Sequence, residues 1–272
     1  MKALLRPYRF LNTVSIDISL GAVASSLFFS KVMHAEVRPI AYLALGLTVW
    51  IVYTMDHLLD VKRLTTRAST QRHEFHQKHF YVLSAILGMV LIIDGYAVLS
   101  IRRSLFFAGL LLSLVILFYL LFQRYLSPLK EFFGGILYTA GVILPAIVFG
   151  EKINSLAHQL LVVQFFFVVC MNLLLFSMFD KNHDEASNYI SFATTMGEVR
   201  TRVTVLILFS LSILVGIYQV IYHDWCPAMV PLLMSIILFT ILLMRKKFID
   251  HELFRLVGDA VFILPILYFL CG

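Results

Sequence analysis

Two pairs of aspartates have the residue type and spacing to bind a divalent cation. Asp56 and Asp60 lie four residues apart at the end of a long apolar run, and Asp180 and Asp184 repeat this arrangement at the end of another. On a helix, residues four apart project from the same face, so each pair presents two carboxylates in one direction. Clustered carboxylates suit Mg²⁺, which keeps some waters and shares its other positions with substrate phosphates. The spacing therefore predicts a divalent-cation site and a phosphate-bearing substrate.

The composition places these acids in a membrane protein. Of the 272 residues, 60% are hydrophobic and only 14% are charged, and the mean hydropathy is +0.89. Charged residues make up about a quarter of an ordinary soluble chain, so this balance excludes a soluble domain. The net charge of +6 does not indicate nucleic-acid binding, because the basic residues fall in loops between apolar runs.

Neither the cysteines nor the N-terminus changes this class. Cys170, Cys226 and Cys271 show no paired spacing, so the sequence suggests neither a disulfide framework nor a thiolate metal site. The N-terminus resembles a signal peptide in its basic residues, its apolar stretch and its Ala22-Val23-Ala24, but Asp17 interrupts the apolar stretch and argues against that interpretation.

Nine apolar runs are long enough to cross a membrane, which takes roughly 20 mainly apolar residues per helix. They cover residues 12–30, 39–59, 80–98, 105–123, 132–150, 159–179, 203–222, 228–244 and 254–271. No segment between them is long enough for a separate domain. We therefore expect one all-α domain over residues 1–272, a polytopic membrane protein with nine transmembrane helices.

The basic residues predict how these helices cross the membrane. With the N-terminus inside, 17 of the 22 Lys and Arg residues fall on the inner side. The other side holds Lys31, Arg38, Arg102, Arg103 and Lys152. By the positive-inside rule, the N-terminus and both acid pairs are cytoplasmic and the C-terminus is outside. No transit peptide is evident, so we expect a bacterial plasma membrane.

Four further ionisable residues lie in or near the apolar runs: Asp17, Asp94, His158 and Asp259. Ionisable groups are costly in hydrocarbon, and by default they are candidates for functional positions. With the predicted topology, Asp17 and Asp259 fall in the cytoplasmic half, whereas Asp94 and His158 fall toward the outside.

Four segments together resemble the UbiA-type superfamily of intramembrane prenyltransferases. That family carries N-D-x-x-D-x-x-x-D after its second helix, a Tyr and Lys element after its fourth and D-x-x-x-D after its sixth. Here Asp56 and Asp60 match the last two acids of the first motif, and Asp180 and Asp184 match the last motif. Tyr125-Leu-Ser-Pro-Leu-Lys130 is similar to the Y-S-x-x-L-K element, and the run from Ser191 to Gly197 is similar to the T-L-A-x-x-L-G stretch that follows.

The sequence departs from the family pattern in two places. Val52 and Tyr53 stand where the first motif has Asn and its first Asp, and the following loop reads RASTQRHEFHQKH where the family often has an RP and Gly stretch. Both changes leave the metal-binding acids in place. They leave the acceptor, and the choice between transfer and another reaction of the same fold, open.

The resemblance implies nine helices around a central cavity, and an enzyme that ionises a prenyl diphosphate. The residues that it implies as Mg²⁺ ligands are Asp56, Asp60, Asp180 and Asp184, and the candidates to neutralise the remaining diphosphate charge are Lys130, Lys181, Arg63 and Arg67. Metal and cations stabilise the leaving group as the allylic C–O bond breaks. Aromatic faces attract cations, and the nearest candidates to shield the carbocation are Tyr53, Tyr125 and Tyr138.

The histidines leave a different chemistry open. His73, His76 and His79 are spaced three apart, while His57 and His183 lie within the acid motifs. Mixed His and carboxylate sites bind zinc or iron, which suggests a membrane metallohydrolase or oxidase, but neither HExxH nor a paired ExxH motif is present. We expect instead that the histidines are interfacial or contact the diphosphate or acceptor, with His76 or His79 as a general base.

Three functions therefore remain. The first is Mg²⁺-dependent transfer of a prenyl chain to a small aromatic or lipid-like, membrane-soluble acceptor, and the second is cyclisation of a prenyl diphosphate without an acceptor. The third is a transporter in which Asp17, Asp94 and Asp259 carry protons or cations. Transport predicts polar residues on both sides of the bilayer, whereas the candidate acids here gather at one face, which favours catalysis.

Overall fold

The protein is a bundle of helices. The computed structural model describes residues 2–63, 71–150, 155–186 and 189–270, and these ranges contain helices and no strand. The α-helices are α1 Lys2–Thr13, α2 Ile16–Val32, α3 Pro39–Arg63, α4 Gln71–Lys78, α5 Phe80–Leu99, α6 Arg103–Phe122, α7 Lys130–Phe149, α8 Leu156–Ala186, α9 Phe192–Met196, α10 Glu198–Tyr222, α11 Trp225–Leu243, α12 Arg245–Ile249 and α13 Leu253–Ala260. Short 3₁₀ segments cover Gln123–Leu126, Asp250–Glu252 and Val261–Leu270.

The number of membrane-spanning segments agrees with the sequence prediction. Within the described ranges, eight segments are long and apolar enough to cross a membrane, and α1 with α2 makes a ninth if this pair, bent by 82°, is counted as one span. The last span is irregular, since α12, α13 and two 3₁₀ segments follow one another from Arg245 to Leu270. These helical spans confirm an all-α polytopic membrane protein. Helices can cross lipid because they satisfy their own backbone hydrogen-bonding groups.

Two helices extend further than the apolar pattern predicts. Helix α3 continues to Arg63 and α8 continues to Ala186, beyond the predicted ends at residues 59 and 179. Both acid pairs therefore lie inside the last turns of helices, where residues four apart share one face. At 31 residues, α8 is about 46 Å long, which carries its acidic end beyond the apolar part of the bundle.

The core of the bundle surrounds α8. This helix packs against α7, α10 and α11, and α2 packs against α3, α7 and the C-terminal 3₁₀ segment. Phe165 and Met171 of α8 are almost completely buried, and the Phe165 ring meets Phe29 of α2 edge to face at a centroid distance of 5.2 Å. These contacts hold α3, α7 and α8 around one side of the bundle, where the cavity described below lies.

Close packing of α2 depends on Gly21. A Cβ atom at this position would lie 2.7 Å from Phe262 Cβ and 3.3 Å from the Phe262 carbonyl carbon. Small residues allow membrane helices to approach in this way, and the gain is van der Waals contact. Gly95 on α5 differs, because a Cβ there would meet no atom within 4 Å.

We expect Gly21→Ala to destabilise the protein by about 1–3 kcal/mol, the usual cost of forcing an extra methyl group into a packed core. Gly95→Ala is the matched control and should leave the thermal midpoint unchanged or slightly higher, since alanine favours helix over glycine. Tryptophan fluorescence during thermal unfolding in detergent measures both. Equal midpoints for the two variants would contradict the close approach of α2 and the C-terminal segment.

Candidate active site

A long cavity with one polar end lies between α3, α6, α7 and α8. Its volume is about 850 Å³. The charged residues and histidines that line it are Asp56, His57, Asp60, His73, Lys130, Glu131, Asp180, His183, Asp184 and Arg255, and Gln123, Tyr189 and Ser191 lie among them. The ends of α3 and α8, the start of α7 and helix α4 supply most of these side chains, so the charged groups meet at one end of the bundle.

The rest of the cavity is apolar and extends through most of the bundle. Leu120 and Leu105 both line it on α6, and they are separated by about 22 Å at the rise of an α-helix. Phe106 and Pro145 also line the end that lies far from the acids. This distribution accommodates a ligand that has a charged head at one end and an apolar tail along the remainder.

The four predicted carboxylates line the same end of the cavity. Asp60 is buried, and Asp56 Oδ1 accepts a hydrogen bond from Gln123 Nε2 at 2.8 Å. Asp180 Oδ2 accepts one from Arg255 Nη2 at 2.6 Å. Asp184 lines the cavity one helical turn further along α8. The structure thus brings together two acid pairs that lie more than a hundred residues apart in sequence, and each has a polar neighbour that the sequence did not predict.

The predicted cations divide into two groups. Lys130 is buried at the start of α7, lines the cavity, and places Nζ 3.9 Å from the centre of the Tyr189 ring. Lys181 does not line the cavity and pairs with Glu185 at 3.5 Å. Arg67 and the side chain of Arg63 lie outside the part of the chain that the structure describes, so their predicted contact with diphosphate stays a prediction.

Arg255 is the cation that sequence reasoning missed. It lies on α13, lines the cavity, and packs over the rings of Phe176 and Phe254 at 5.4 Å from each centroid. Its position in the last apolar run was a signal, because an ionisable residue within a membrane segment is a functional candidate by default. The Asp180 pair and the two aromatic faces hold its guanidinium at the polar end.

The predicted tyrosines also differ in position. Tyr53 and Tyr138 line the cavity, whereas the Tyr125 side chain is 84% exposed and is not among the lining residues. Tyr125 therefore lies outside the cavity in this structure, and a contact with substrate stays a prediction. Tyr189 was not singled out by the sequence, yet it lines the polar end beneath the Lys130 ammonium.

The histidines of the site are His57, His73 and His183. All three line the cavity, whereas His76 is 1% exposed and its Nδ1 lies 2.9 Å from the Arg72 carbonyl oxygen. Neither His76 nor His79, the residues predicted as a general base, is among the lining residues. Burial and, to a smaller extent, the nearby Arg255 and Arg72 charges lower the pKa of His73 from 6.5 to about 4. His73 is therefore neutral at physiological pH.

A buried polar network holds α4 against the bundle. Arg72 Nη2 donates to Asp259 Oδ2 at 3.2 Å and to Asn12 Oδ1 at 3.1 Å. Asn12 Nδ2 donates to Asp17 Oδ2 at 2.6 Å and to Asp259 Oδ2 at 2.7 Å. Two of the predicted intramembrane acids, Asp17 and Asp259, thus join α1, α2 and α13 to the helix that carries His73.

The third intramembrane acid is separate from this network. Asp94 on α5 is buried and accepts a hydrogen bond from Thr48 Oγ1 at 2.9 Å. Asp94 is not among the residues that line the cavity, although Thr48 is. The three acids of the transport hypothesis therefore form two unconnected groups within the described residues.

The lowered pKa of His73 predicts how stability depends on pH. Because the folded state protonates near pH 4 and the unfolded state near pH 6.5, the unfolded state binds more protons between these values. The His73 contribution to stability is full above pH 6.5 and is lost as the pH falls toward 4. We expect His73→Gln to flatten the acid side of a plot of thermal midpoint against pH. Parallel plots for the variant and the wild type would contradict a buried neutral imidazole.

Comparison with known proteins places the chain in a family. Residues 54–252, more than half of the chain, match the model of the UbiA prenyltransferase family. The chain belongs to the UbiA prenyltransferase family. The matched region begins inside α3, just before the first acid pair, and continues through α12. No curated protein sequence matches the chain.

Solved structures share the fold of this UbiA family member. An apo UbiA homolog from Aeropyrum pernix K1 superposes with a TM-score of 0.65 at 14% identity, over 92% of this chain and 95% of that one. A UbiA homolog from Archaeoglobus fulgidus bound to GPP and Mg²⁺ gives 0.68 at 11% identity, over 96% and 98%. A structure of a UbiA homolog from Archaeoglobus fulgidus bound to DMAPP and Mg²⁺ gives a TM-score of 0.63 at 14% identity, over 93% of this chain and 98% of that one.

Proposed function

We propose that this protein is a Mg²⁺-dependent intramembrane prenyltransferase that ionises a prenyl diphosphate and transfers the prenyl chain to an acceptor. The observation that carries the proposal is the meeting of Asp56, Asp60, Asp180 and Asp184 at the head of a long apolar cavity. Family membership and the likeness to structures bound to DMAPP or GPP with Mg²⁺ support it. The acceptor that we propose is a small aromatic or lipid-like molecule soluble in the membrane.

The carboxylates fit a Mg²⁺ site that the substrate completes. Among the described residues, no group of three or more His, Cys, Asp and Glu side chains lies close enough to hold a metal ion unaided. Mg²⁺ is typically held by one or two carboxylates, several waters and substrate phosphates. We propose that Asp56 and Asp60 on α3 and Asp180 and Asp184 on α8 would hold the ions. Bound there, Mg²⁺ would supply charge that stabilises the departing diphosphate.

The protein's own cations complete the head of the site. Lys130 and Arg255 line the polar end together with the acids, and we propose that they bind the diphosphate oxygens that face away from the metal. A guanidinium has five N–H donors in a fixed fork, so Arg255 can keep its hydrogen bond to Asp180 and still donate to a phosphate oxygen. These interactions strengthen as negative charge develops on the leaving group.

The apolar part of the cavity would hold the prenyl tail and protect the carbocation. Tyr53 lies one helical turn below His57 on α3, and Tyr138 faces the same cavity from α7. Aromatic faces attract cations through their quadrupole and contribute no nucleophile. The leucine and phenylalanine walls exclude water, which would otherwise capture the cation before the acceptor does.

Two other functions are less well supported. Cyclisation without an acceptor requires the same diphosphate site, so the reaction products distinguish it from transfer. A relay of protons or cations through these acids requires that they connect across the bilayer, whereas Asp94 is bonded to Thr48 apart from the network of Asp17 and Asp259. We also propose that the polar end faces the cytoplasm, as the distribution of Lys and Arg indicates.

Removing one acid from each pair tests the diphosphate site. We expect Asp56→Ala and Asp180→Ala each to reduce Mg²⁺-dependent diphosphate release by at least about 100-fold, the scale of losing a main electrostatic contact in a catalytic site. Purified protein in detergent with labelled geranyl diphosphate and Mg²⁺ gives the rate, with and without a lipid extract of the source membranes. Glu185→Ala, an exposed acid on the same helix, is the matched control.

The results separate the candidate functions. Release that requires the extract supports transfer, and release without it supports cyclisation or hydrolysis. Absence of Mg²⁺-dependent release under every condition, or undiminished release by both variants, overturns the proposed function.

The depth of the cavity predicts a change of chain-length preference. Gly109 lines the cavity on α6, and a Cβ there would meet nothing within 4 Å. It lies about 17 Å along the helix from Leu120. We expect Gly109→Phe to retain activity with dimethylallyl diphosphate and to lose most of it with geranylgeranyl diphosphate, because the new ring fills the path of the longer tail. Gly95→Phe, at an exposed glycine that does not line the cavity, is the control, and equal preferences in both variants would contradict this tail path.

A further inference from the structure

His57 is a buried polar residue that the diphosphate mechanism does not use. It is 8% exposed and lines the cavity, and neither ring nitrogen has a hydrogen-bond partner among the described residues. Roughly 90% or more of buried polar groups in proteins are paired. An imidazole with two unpaired nitrogens in the wall of a cavity is therefore a group that a ligand can satisfy.

His57 belongs to a second face of α3. Asp56 and Asp60 share one face, whereas His57 follows Asp56 by one residue and points about 100° away around the helix. Below His57, at steps of four residues, Tyr53 and Val49 also line the cavity. Helix α3 thus presents two parallel strips to one space, an acidic one that the proposed function assigns to diphosphate and a strip made of His57, Tyr53 and Val49.

A second imidazole faces this strip from α4. The ring of His73 lies 5.8 Å from that of His57, centroid to centroid, and both line the cavity. His76 supports His57 from behind at 4.9 Å, and it does not line the cavity. The Arg72 network described above holds α4, and with it His73, in this position.

The chemistry of the two rings selects one class of ligand group. A neutral imidazole has one N–H donor and one acceptor nitrogen. A hydroxyl group matches it, because it also donates one hydrogen bond and accepts others. The pKa of His73, lowered to about 4 by burial and by the Arg255 and Arg72 charges, keeps that ring neutral. Anions have cationic partners elsewhere at the same end, in Lys130 and Arg255, so this wall is better suited to an uncharged group.

We propose that His57 and His73 bind the hydroxyl group of the prenyl acceptor, beside the diphosphate and at the head of the apolar cavity. This inference rests on the proposed function, and it adds the residues that bind and select the acceptor. His57 and His73 then determine acceptor specificity and do not contribute to ionisation. The acceptor would lie along Tyr53, close to the start of the prenyl tail.

The test separates acceptor use from ionisation. Purified protein, Mg²⁺ and labelled geranyl diphosphate are incubated with a lipid extract of the source organism's membranes, with the same extract after acetylation of its hydroxyls, or without extract. Diphosphate release and prenylated product are measured separately. The variants are His57→Phe, which keeps a ring without hydrogen bonding, His57→Gln, which keeps a donor and an acceptor, and His79→Phe, a matched control at a position that does not line the cavity.

We expect His57→Phe to raise the apparent KM for the extract by about tenfold, the loss of roughly one hydrogen bond, with an unchanged KM for geranyl diphosphate. His57→Gln should recover part of the loss, His79→Phe should match the wild type, and the acetylated extract should yield little product. Thermal unfolding midpoints identify any variant that fails to fold, and in that case His57→Gln and His73→Gln give the same comparison.

Each other outcome overturns the inference. Product formation by His57→Phe at wild-type KM, or full use of the acetylated extract, shows that the hydroxyl is not bound at His57. A parallel rise of the KM for geranyl diphosphate assigns His57 to the diphosphate site instead. If the wild type releases diphosphate but prenylates no component of the extract, the acceptor inference fails and the proposed ionisation stands. If no diphosphate is released under any condition, the proposed function is overturned as well.

Discussion

The structure depends on pairing charged side chains at one end of an otherwise apolar bundle. Arg255 pairs with Asp180, and Arg72 pairs with Asp259 inside the bundle. An unpaired buried charge is strongly destabilising, by about 3–5 kcal/mol when one partner is removed. These two pairs join α13 to α8 and to α4, so the same contacts that make the buried charges tolerable also close the head of the cavity.

The cavity follows from this division between charged and apolar regions. Charged and hydrogen-bonding groups gather at the ends of α3 and α8, and the walls beyond them are apolar for about 22 Å along α6. A substrate with an anionic head and a long apolar tail matches that gradient without further rearrangement. The asymmetry also explains why Lys130, although buried, is retained at the start of α7, where Tyr189 covers its ammonium and carboxylates lie nearby.

Some of the site could be predicted because it is encoded locally. The four-residue spacing of each acid pair places both carboxylates on one helix face, and that holds in α3 and α8. Helix positions followed from hydropathy, because a membrane helix must be long and apolar enough to cross the bilayer. Arg255 and Gln123 were not predicted, since their roles depend on which helix ends meet, and no local pattern carries that information.

The sequence by itself determined the class of protein, the positions of its helices and the pairing of the acids, since hydropathy and helical periodicity depend only on neighbouring residues. The tertiary structure decided which side chains share the cavity. It places His57 and His73 in the wall while His76 is buried behind them, and it leaves Tyr125 outside. The physical reason is packing: the direction of a side chain depends on how its helix is rotated against its neighbours, and that rotation is set by contacts between distant parts of the chain.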